Sequence, residues 1–274
     1  MALSSLPLVS IVTVCRNAQT TIEATLRSVL HLHYPALEQI VIDGLSTDGT
    51  LEAIERLASS FRERGIALRV VSEKDAGIYD AMNKGAALAQ GEWVCYMNAG
   101  DSFAQPEVLQ QLLGQPLGEN CGVVYGQVAL RKSFGDVVMR PKPIDYLRKK
   151  MAFCHQASLV RTVLLQAQPF DLRYRLAADY AWFRRYWKSG GGFQYREVVV
   201  AIFEAEGGAS SSQRLRVNRE YAQIRGIDHT WAWRLRYAWK WCTVQLKGLW
   251  RNCIPKSWSE QLRAANYKRL QARR

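Results

Sequence analysis

Apolar runs alternate with amphipathic stretches along the first hundred residues of the chain. Four runs, PLVSIVTVC, LEQIVIDG, IALRVVSE and EWVCYMN, have the length and β-branched content of buried strands. The segments between them place Ile22, Leu26, Val29 and Leu30 at helical spacing, or run from cap residues to a glycine, as in STDGTLEAIERLASSFRERG. Strands separated by helices predict a parallel sheet with right-handed crossovers, which binds ligands at the carboxyl ends of its strands.

The middle of the chain, from about residue 104 to 205, is less regular. It contains a short helix PEVLQQLLG, strand-like GVVYGQVAL and DVVMRPKP, the segment CHQASLV, a helix AADYAWFRRYWKSG and a strand FQYREVVVAIF. These predict that the same sheet continues with mixed or antiparallel strands. The stretch EGGASSS then breaks the pattern, so we expect a main domain over residues 1–212 and a helical extension over 213–274.

Composition narrows the class of protein. A hydrophobic content of 48% over 274 residues is typical of a globular chain, and no apolar stretch predicts a spanning helix. The first residues lack the basic region and apolar core of a signal peptide. The six cysteines show no CxxC spacing, which favours reduced thiols in a cytoplasmic protein over disulfides or a zinc site.

The predicted strand ends carry charged residues that suit an anionic nucleotide ligand. The loop GLSTDG lacks the GxGxxG spacing and the following Lys-Ser/Thr, so it predicts neither a dinucleotide fold nor a P-loop. A carboxylate at a strand end can accept a hydrogen bond from a base or ribose, or it can hold a divalent metal. A Lys or Arg side chain can face a diphosphate. The candidates are Arg16, Asp43, Asp48, Lys74, Asp75 and Asp101.

Several motifs occur in one order: SIVTVCRNAQTTIEATLRSVL, IVIDGLSTDGT, SEKDAGIYDAMNKGAALAQGEWVCYMNAGD, HQASLV, FDLRYRLAADYAWFRR and GGASS. Over roughly residues 7–212 they resemble the family 2 glycosyltransferases, within the bacterial branch that builds colanic-acid-type and other surface polysaccharides. The resemblance implies the GT-A fold, an α/β structure with a mixed, mostly parallel central sheet flanked by helices. A nucleotide-sugar-binding half would span 7–103 and an acceptor-binding half 104–212, with the C-terminal helical extension after them.

The resemblance also implies roles for residues at matching positions. Thr13 and Arg16 would flank the nucleotide, Asp43 would contact its base or ribose, and Asn83 and Lys84 would line its pocket. Asp101 would hold the metal, Asp179 would act as general base, and His155 would lie near the acceptor or the diphosphate.

The reaction that the resemblance implies is an inverting, hexosyltransferase-type transfer from a nucleotide-sugar to a lipid-linked or growing polysaccharide. Asp179 would remove the proton of the acceptor hydroxyl, a contribution of about 10²–10⁴-fold. Mg²⁺ or Mn²⁺ at Asp101 would stabilise the leaving diphosphate. The stretch YMNAGD has Asn98 and Gly100 where the family usually has further aspartates, so the donor's own diphosphate would complete the metal site.

Each residue also has a plain structural interpretation. Asp43 suits a turn cap and Asp48 an early helix position favoured by the dipole. Asp101 could cap the helix that begins near Pro106, although it lies too far upstream of that helix. A helical Asp179 is by itself typical of a solvated surface charge. His155 in an apolar context is typical of a satisfied core histidine, while Asp75 and Asp80 suit a surface loop.

The extension concentrates the positive charge of the chain. The net charge is +13, and residues 230–274 contain eleven Lys or Arg and one acid. On a helical wheel an apolar stripe lies beside an arc of cations, which favours peripheral membrane contact through residues 230–258. We therefore expect a cytoplasmic protein at the inner face of the plasma membrane. The alternative is that the apolar stripe packs on the catalytic domain. No nucleic-acid partner is expected, because no RNA- or DNA-binding module precedes the tail.

Two other functions remain open from the residues alone. A nucleotidyltransferase shares an α/β sheet with acidic strand ends, although its glycine-bearing loop after the first strand is missing from CRNAQT. A non-catalytic membrane- or nucleic-acid-binding protein on a degenerate transferase fold is the second alternative.

Overall fold

The computed structural model describes residues 6–131, 135–204 and 213–251. The GGASS motif at 207–211 and residues 252–274, which include the end of the predicted contact segment 230–258, lie outside the described residues. The chain divides into two compact units, residues 1–212 and 213–274. Each is described by itself below.

The first unit is built on a mixed sheet that has nine strands among the described residues. Its strand order is β3-β2-β1-β4-β8-β6-β9-β5, and β7 pairs with β6. The first four of these strands run parallel, as the alternation of strands and helices predicts, and β8 joins them antiparallel to both β4 and β6. The strands are β1 Val9–Cys15, β2 Leu37–Asp43, β3 Ala67–Ser72, β4 Trp93–Tyr96, β5 Ser102–Phe103, β6 Cys121–Arg131, β7 Val137–Met139, β8 Ser158–Arg161 and β9 Gly192–Glu204.

Helices flank this sheet and cover its apolar residues. Strands β1, β2 and β4 are buried along their whole length, which is why they are nearly continuous apolar runs. The helices are α1 Ile22–Leu30, α2 Thr50–Glu55, α3 Ala58–Glu63, α4 Ile78–Leu88, α5 Val108–Leu113, α6 Thr162–Ala167 and α7 Ala178–Lys188, with 3₁₀ turns at Ile144–Arg148 and His155–Ala157.

Helix α4 packs very closely on β1. A side-chain carbon at Gly85 would lie 2.3 Å from Val12 Cγ1. The side chains of Ala81, Met82 and Ala86 on the same helix are buried. The small residues of AMNKGAA therefore let the helix approach the strand, and this places its first turn over the carboxyl edge of the sheet.

Two local features differ from the sequence prediction. The segment predicted as one helix after STDG forms α2 and α3, separated by a tightened turn in which Leu57 N–H donates to Ile54 O at 3.0 Å. This turn leaves Ile54, Leu57 and Phe61 all buried. Helix α6 and the short strand β5 were not predicted, because their sequences TVLLQA and SF are too short to show a period.

The second unit contains two helices among its described residues, α8 Arg214–Arg225 and α9 Trp231–Arg251. Gly226 ends α8 in the left-handed conformation with φ 69°, and its N–H caps the helix. Trp231 and Trp239 are each 75% exposed, and Leu235 and Trp241 are also exposed. None of the helices described is both long enough and apolar enough to span a bilayer.

Candidate active site

The carboxyl ends of β1, β2, β3 and β4 lie at one edge of the sheet because the strands run parallel. The register pairs Cys15 with Asp43 and Asp43 with Ser72. The loops that follow these strands therefore meet at one edge, where open α/β sheets bind their ligands.

Asp43 ends β2 and is fully buried. Its carboxylate accepts hydrogen bonds from the Ser46 N–H at 3.0 Å, the Ser46 hydroxyl and the Ser72 hydroxyl at 2.6 Å. Burial raises the pKa of Asp43, but these hydrogen bonds outweigh it, so the pKa lies below its usual value. Burial and the Asp43 charge raise the pKa of Cys15 to about 12, which keeps it a thiol. Asp43 is thus an ionised anchor of this edge, and its contact with a base or ribose stays a prediction.

Three strand-end loops approach each other beside Asp43. A side-chain carbon at Gly44 would lie 2.3 Å from Asp75 Oδ2 and 3.4 Å from Arg16 Cδ. Arg16 itself is exposed. This edge therefore offers a solvent-facing cation beside a carboxylate, and only glycine at position 44 leaves room for both.

Asp48 fastens the loop after β1 to the start of α2. Its Oδ2 accepts from Gln19 N–H at 3.1 Å, and its Oδ1 accepts from the N–H of Thr50 at 3.1 Å and from the Thr50 hydroxyl. These contacts favour the structural interpretation of Asp48.

The turn Asn98–Asp101 follows β4 and is tied to helix α1. Asp101 N–H donates to Asn98 O at 2.9 Å, and Gly100 adopts φ 101°, a conformation that favours glycine. The Thr25 hydroxyl donates to Asp101 O at 2.7 Å and accepts from Gly100 N–H at 3.0 Å. Asp101 is buried, and its Oδ2 accepts from Gln156 Nε2 at 3.1 Å.

The oxygen atoms of this turn decide whether a metal fits. No three His, Cys, Asp or Glu side chains converge as a metal site anywhere in the described ranges. The turn offers the Asp101 carboxylate and the Asn98 Oδ1, a buried oxygen that finds no hydrogen-bond partner among the described residues. Mg²⁺ and Mn²⁺ prefer such carboxylate and amide oxygens. The donor set therefore fits a hard divalent cation that takes its other ligands from outside the protein.

Asp179 lies in the first turn of α7, and its side chain is only 14% exposed. Its Oδ1 accepts from the Tyr79 hydroxyl at 2.9 Å and from Tyr180 N–H at 2.7 Å, and its Oδ2 lies 3.2 Å from His155 Nδ1. Burial raises the pKa of Asp179, but the hydrogen bond and charge of His155, with the bonds from Tyr180 and Tyr79, outweigh it. The pKa therefore lies below its usual value. Asp179 is a held, ionised carboxylate, not a solvated surface charge.

One 3₁₀ turn joins the two acidic sites. His155 contacts Asp179, and the next residue, Gln156, donates to Asp101. Gln156 is buried, and His155 Nε2 is a buried nitrogen without a hydrogen-bond partner in the part of the chain that the structure describes. The loop after β4 and the start of α7 are therefore held on adjacent residues of a single turn.

Three further predicted residues make contacts within the protein. Thr13 is buried and accepts from Gln39 Nε2 at 3.0 Å. The Asn83 amide pairs at both ends with the backbone of Phe170, at 2.9 and 2.8 Å. Lys84 Nζ lies 2.8 Å from Glu73 and 3.5 Å from Asp80. These contacts shape the walls of the edge, and a direct nucleotide contact of the three stays a prediction.

The sequence prediction missed Tyr79, Gln156 and Ser72. Tyr79 and Gln156 lie within GIYDAMNKG and CHQAS, both of which carry the family resemblance. Their partners are 100 and 55 residues away, so no spacing rule could pair them. The sequence signal for Ser72 was its place at the end of β3, level with Asp43.

The same set of motifs defines a known protein family. A sequence profile described as Glycosyl transferase family 2 matches residues 10–188, which is well over half of the chain. The chain belongs to glycosyl transferase family 2. This membership favours the glycosyltransferase prediction over the nucleotidyltransferase and non-catalytic alternatives.

A relative within family 2 supports the assignment. The PGL/p-HBAD biosynthesis glycosyltransferase of Mycobacterium bovis is 32% identical over 213 residues, covering 75% of this chain and 80% of the relative.

Solved structures show the fold. The mannosyltransferase PcManGT of Pyrobaculum calidifontis, in complex with GDP-Man and Mn²⁺, aligns with a TM-score of 0.65 at 20% identity, covering 97% of this chain and 81% of that one. TarS of S. aureus, residues 1–349 in complex with UDP-GlcNAc, aligns with a TM-score of 0.62 at 18% identity, covering 79% of this chain and 66% of that one. These likenesses, with the family match, confirm the predicted GT-A fold.

Proposed function

We propose that this family 2 member is an inverting glycosyltransferase of the hexosyltransferase type. It moves a sugar from a nucleotide-diphosphate donor to a lipid-linked or growing surface-polysaccharide acceptor, in the colanic-acid-type branch. Asp179 is the general base, and Asp101 lies on the diphosphate side of the site. Thr13, Arg16, Asp43, Asn83 and Lys84 surround the nucleotide.

One observation carries this proposal: adjacent residues His155 and Gln156 hold Asp179 and Asp101, respectively. A displacement at an anomeric carbon needs a base for the incoming hydroxyl and charge stabilisation for the departing diphosphate. A single turn that contacts both carboxylates fixes their positions relative to each other. Two acids with purely structural roles would not need to be held by adjacent residues of the same turn.

In the proposed step the acceptor hydroxyl loses its proton to Asp179 while its oxygen bonds to the anomeric carbon. The bond from that carbon to the phosphate oxygen breaks, and the nucleoside diphosphate leaves with the bonding electrons. Because attack and departure occur on opposite faces, the anomeric configuration inverts. The low pKa of Asp179 keeps it ionised at neutral pH, which is the state a base needs.

The diphosphate side depends on the Asn98–Asp101 turn. Asp101 would hold Mg²⁺ or Mn²⁺ with Asn98 Oδ1 beside it, and the bound cation supplies neutralisation of the growing phosphate charge. Gln156 and Thr25 orient the turn through its carboxylate and its backbone. The exposed Arg16 adds a positive charge at the same edge of the sheet.

A donor screen tests the enzyme assignment. Purified protein with Mn²⁺ or Mg²⁺ is combined with UDP-, GDP-, CDP- and dTDP-sugars, among them UDP-GlcNAc and GDP-mannose, and thermal stability and nucleoside diphosphate release are measured. A donor present at 100 times its dissociation constant should add about 2.7 kcal/mol of apparent stability. If no donor binds and none is cleaved, the proposed function is wrong.

The named relative is a glycosyltransferase of PGL/p-HBAD biosynthesis, which supports a role in glycan biosynthesis, and the lipid-linked acceptor is our extension of that role. Transfer to a lipid-linked acceptor at the inner face of the plasma membrane would bring the enzyme to a lipid surface. Helix α9 offers a surface of that chemistry. Its exposed Trp231, Leu235 and Trp239 recur every four residues on one face, with Arg236 and Lys240 beside them.

Vesicle binding tests the membrane contact. The full chain should sediment with phosphatidylglycerol vesicles and much less with phosphatidylcholine, and added salt should weaken binding because the attraction is partly electrostatic. Replacing both Trp231 and Trp239 by Ala should weaken binding by about tenfold or more. Val163→Ser, at an exposed apolar position of α6, is the control and should bind as the unmodified protein does. Equal binding to both lipids would contradict the proposed contact.

A further inference from the structure

Tyr79 lies between two parts of the candidate site. It is in the first turn of α4, which follows Gly77 with φ 128°, and the residue as a whole is only 7% exposed. Tyr79 lines a cavity of about 130 Å³, together with residues that include Gly77, Ile78, Asp80, Leu172, Tyr174 and Arg175. Its hydroxyl donates to Asp179 Oδ1 at 2.9 Å. Tyr79 therefore borders the cavity and also contacts the carboxylate.

The segment that positions Tyr79 is itself well anchored. Asp75 Oδ1 accepts from Gly77 N–H at 2.9 Å, and Asp80 Oδ2 accepts from Ala76 N–H at 2.9 Å, which orders the turn before α4. Phe170 packs against the Tyr79 ring with centroids 5.5 Å apart. The hydroxyl is thus presented to Asp179 from a fixed ring, with little rotational freedom to lose.

Titratable groups lie against the Asp179 carboxylate in the described part of the chain. Among them, His155 and Tyr79 bond its side chain, and the Cys154 thiol lies near enough to feel its charge. Burial and the charges of Asp101 and Asp179 raise the pKa of Cys154 to about 12. The thiol therefore stays neutral at neutral pH. Tyr79 is then a neutral donor that stabilises the ionised carboxylate without a charge of its own.

We propose that Tyr79 is a positioning residue for the transfer reaction, fixing the Asp179 carboxylate beside the cavity at the start of α4. This inference rests on the proposed function, because it assigns Asp179 a proton to accept. The cavity is smaller than the about 300–1,000 Å³ of a typical ligand pocket, so it admits one group of a substrate and not a whole nucleotide-sugar.

The test compares Tyr79→Phe with the unmodified protein in hydrolysis of UDP-GlcNAc or GDP-mannose, whichever donor the screen retains. The variant should lower kcat about three- to tenfold with KM for the donor changed less than twofold. The acidic limb of its pH profile should move to higher pH, because the carboxylate loses a donor that favours its charged form. Tyr34→Phe is the matched control. It removes a hydroxyl that donates to Pro7 O at 2.8 Å, far along the sheet from this edge, and should change none of these values.

The outcomes separate this inference from the proposed function. If Asp179→Asn hydrolyses the donor as fast as the unmodified protein, the base assignment itself is wrong. If Asp179→Asn abolishes turnover while Tyr79→Phe keeps both its kcat and its acidic limb, only the positioning role is wrong. Should Tyr79→Phe fold poorly, 3-fluorotyrosine at position 79 supplies a second variant. The fluorinated phenol is a stronger hydrogen-bond donor, so the acidic limb of the pH profile should move to lower pH. An acidic limb that does not move would contradict the positioning role of Tyr79.

Discussion

Asp43, which is fully buried, and Asp179, whose side chain is 14% exposed, both have a pKa below the usual value, and they reach that state by different means. Asp43 is held by the neutral hydroxyls of Ser46 and Ser72, which lie on its own loop and on the adjacent strand. Asp179 is held by His155 and Tyr79, which come 24 and 100 residues away in the chain. One site is built along neighbouring strands, and the other is assembled from both halves of the first unit.

The difference teaches what each carboxylate is suited to do. Neutral donors stabilise the ionised form of Asp43, and the side chain is fully buried, which suits an anchor. Asp179 is held by the hydrogen bond and charge of His155 and by the hydroxyl of Tyr79, both of which come from other elements than its own helix. The Asp179 side chain also keeps 14% of its surface exposed, and an ionised carboxylate that solvent can reach suits a base.

The largest effect should separate the two acids by function. Asp179→Asn should reduce donor turnover by about 10²–10⁴-fold while the protein remains folded, because the amide cannot take the hydroxyl proton. Asp43→Asn makes the same chemical change at the other site and should act on donor affinity and stability, with a smaller loss of kcat. Steady-state kinetics with matched thermal melts measures both. Equal losses of kcat in the two variants would remove the distinction.

The second effect concerns the pH response of Asp179. His155→Asn keeps a side-chain N–H near the carboxylate and removes the charge of His155, so the pKa of Asp179 should rise and the acidic limb of kcat/KM should move to higher pH. The shift should exceed that of Tyr79→Phe, since His155 contributes both a hydrogen bond and a charge. A pH–rate profile measures it, and a smaller shift than that of Tyr79→Phe would reverse the order of the two partners.

The third effect concerns the anchor at Asp43. Ser72→Ala should lower the free energy of unfolding by about 1.5 kcal/mol at neutral pH, because a buried carboxylate loses a hydroxyl donor. The folded-state pKa of Asp43 is depressed, so this stabilisation is present above the unfolded pKa of about 3.9 and is lost as pH falls through the folded value. Urea unfolding at several pH values should show the difference between variant and parent closing in acid. A difference that is constant with pH would mean that the hydroxyl acts through packing.

The smallest effect gives a reference for an exposed acid. Glu23 pairs with Arg27 at 2.7 Å on the open face of α1. Glu23→Gln should cost only about 0.3–0.5 kcal/mol, and salt should reduce the difference further. Urea unfolding at low and high ionic strength measures it. A cost as large as that of Ser72→Ala would show that burial is not what distinguishes Asp43.

Most of the fold could be predicted from the sequence because its signals are local. The apolar runs at β1, β2 and β4 and the buried residues Ile22, Leu26 and Val29 of α1 follow simple periods. The break between α2 and α3 could not be predicted, since a tightened turn at Leu57 depends on packing against the sheet. The order of strands β8, β6, β9 and β5 in the sheet could not be predicted either, because it depends on pairing between strands that are far apart in the chain.

The candidate site was predicted as a set of residues and not as a set of contacts. Asp43 and Asp101 were found because they follow apolar strands, whereas Asp179 and His155 were found through the family motifs alone. No pattern in the sequence indicated that His155 would contact Asp179, that Gln156 would contact Asp101, or that Tyr79 would complete the cluster. Such contacts depend on how the two halves pack together.

The position of strand β9 late in the chain affects the order in which the sheet can form during synthesis. It runs parallel to β6 and is the sheet partner of β5, so Ser102–Phe103 has to wait for Gly192–Glu204 to be synthesised before it joins the sheet. The βαβ units of the first hundred residues can form as they leave the ribosome, since their contacts are close in sequence. The unpaired edge of β6 stays available to other chains until the last strand arrives. We therefore expect the nascent chain to be prone to aggregation from the synthesis of residue 131 until that of residue 204.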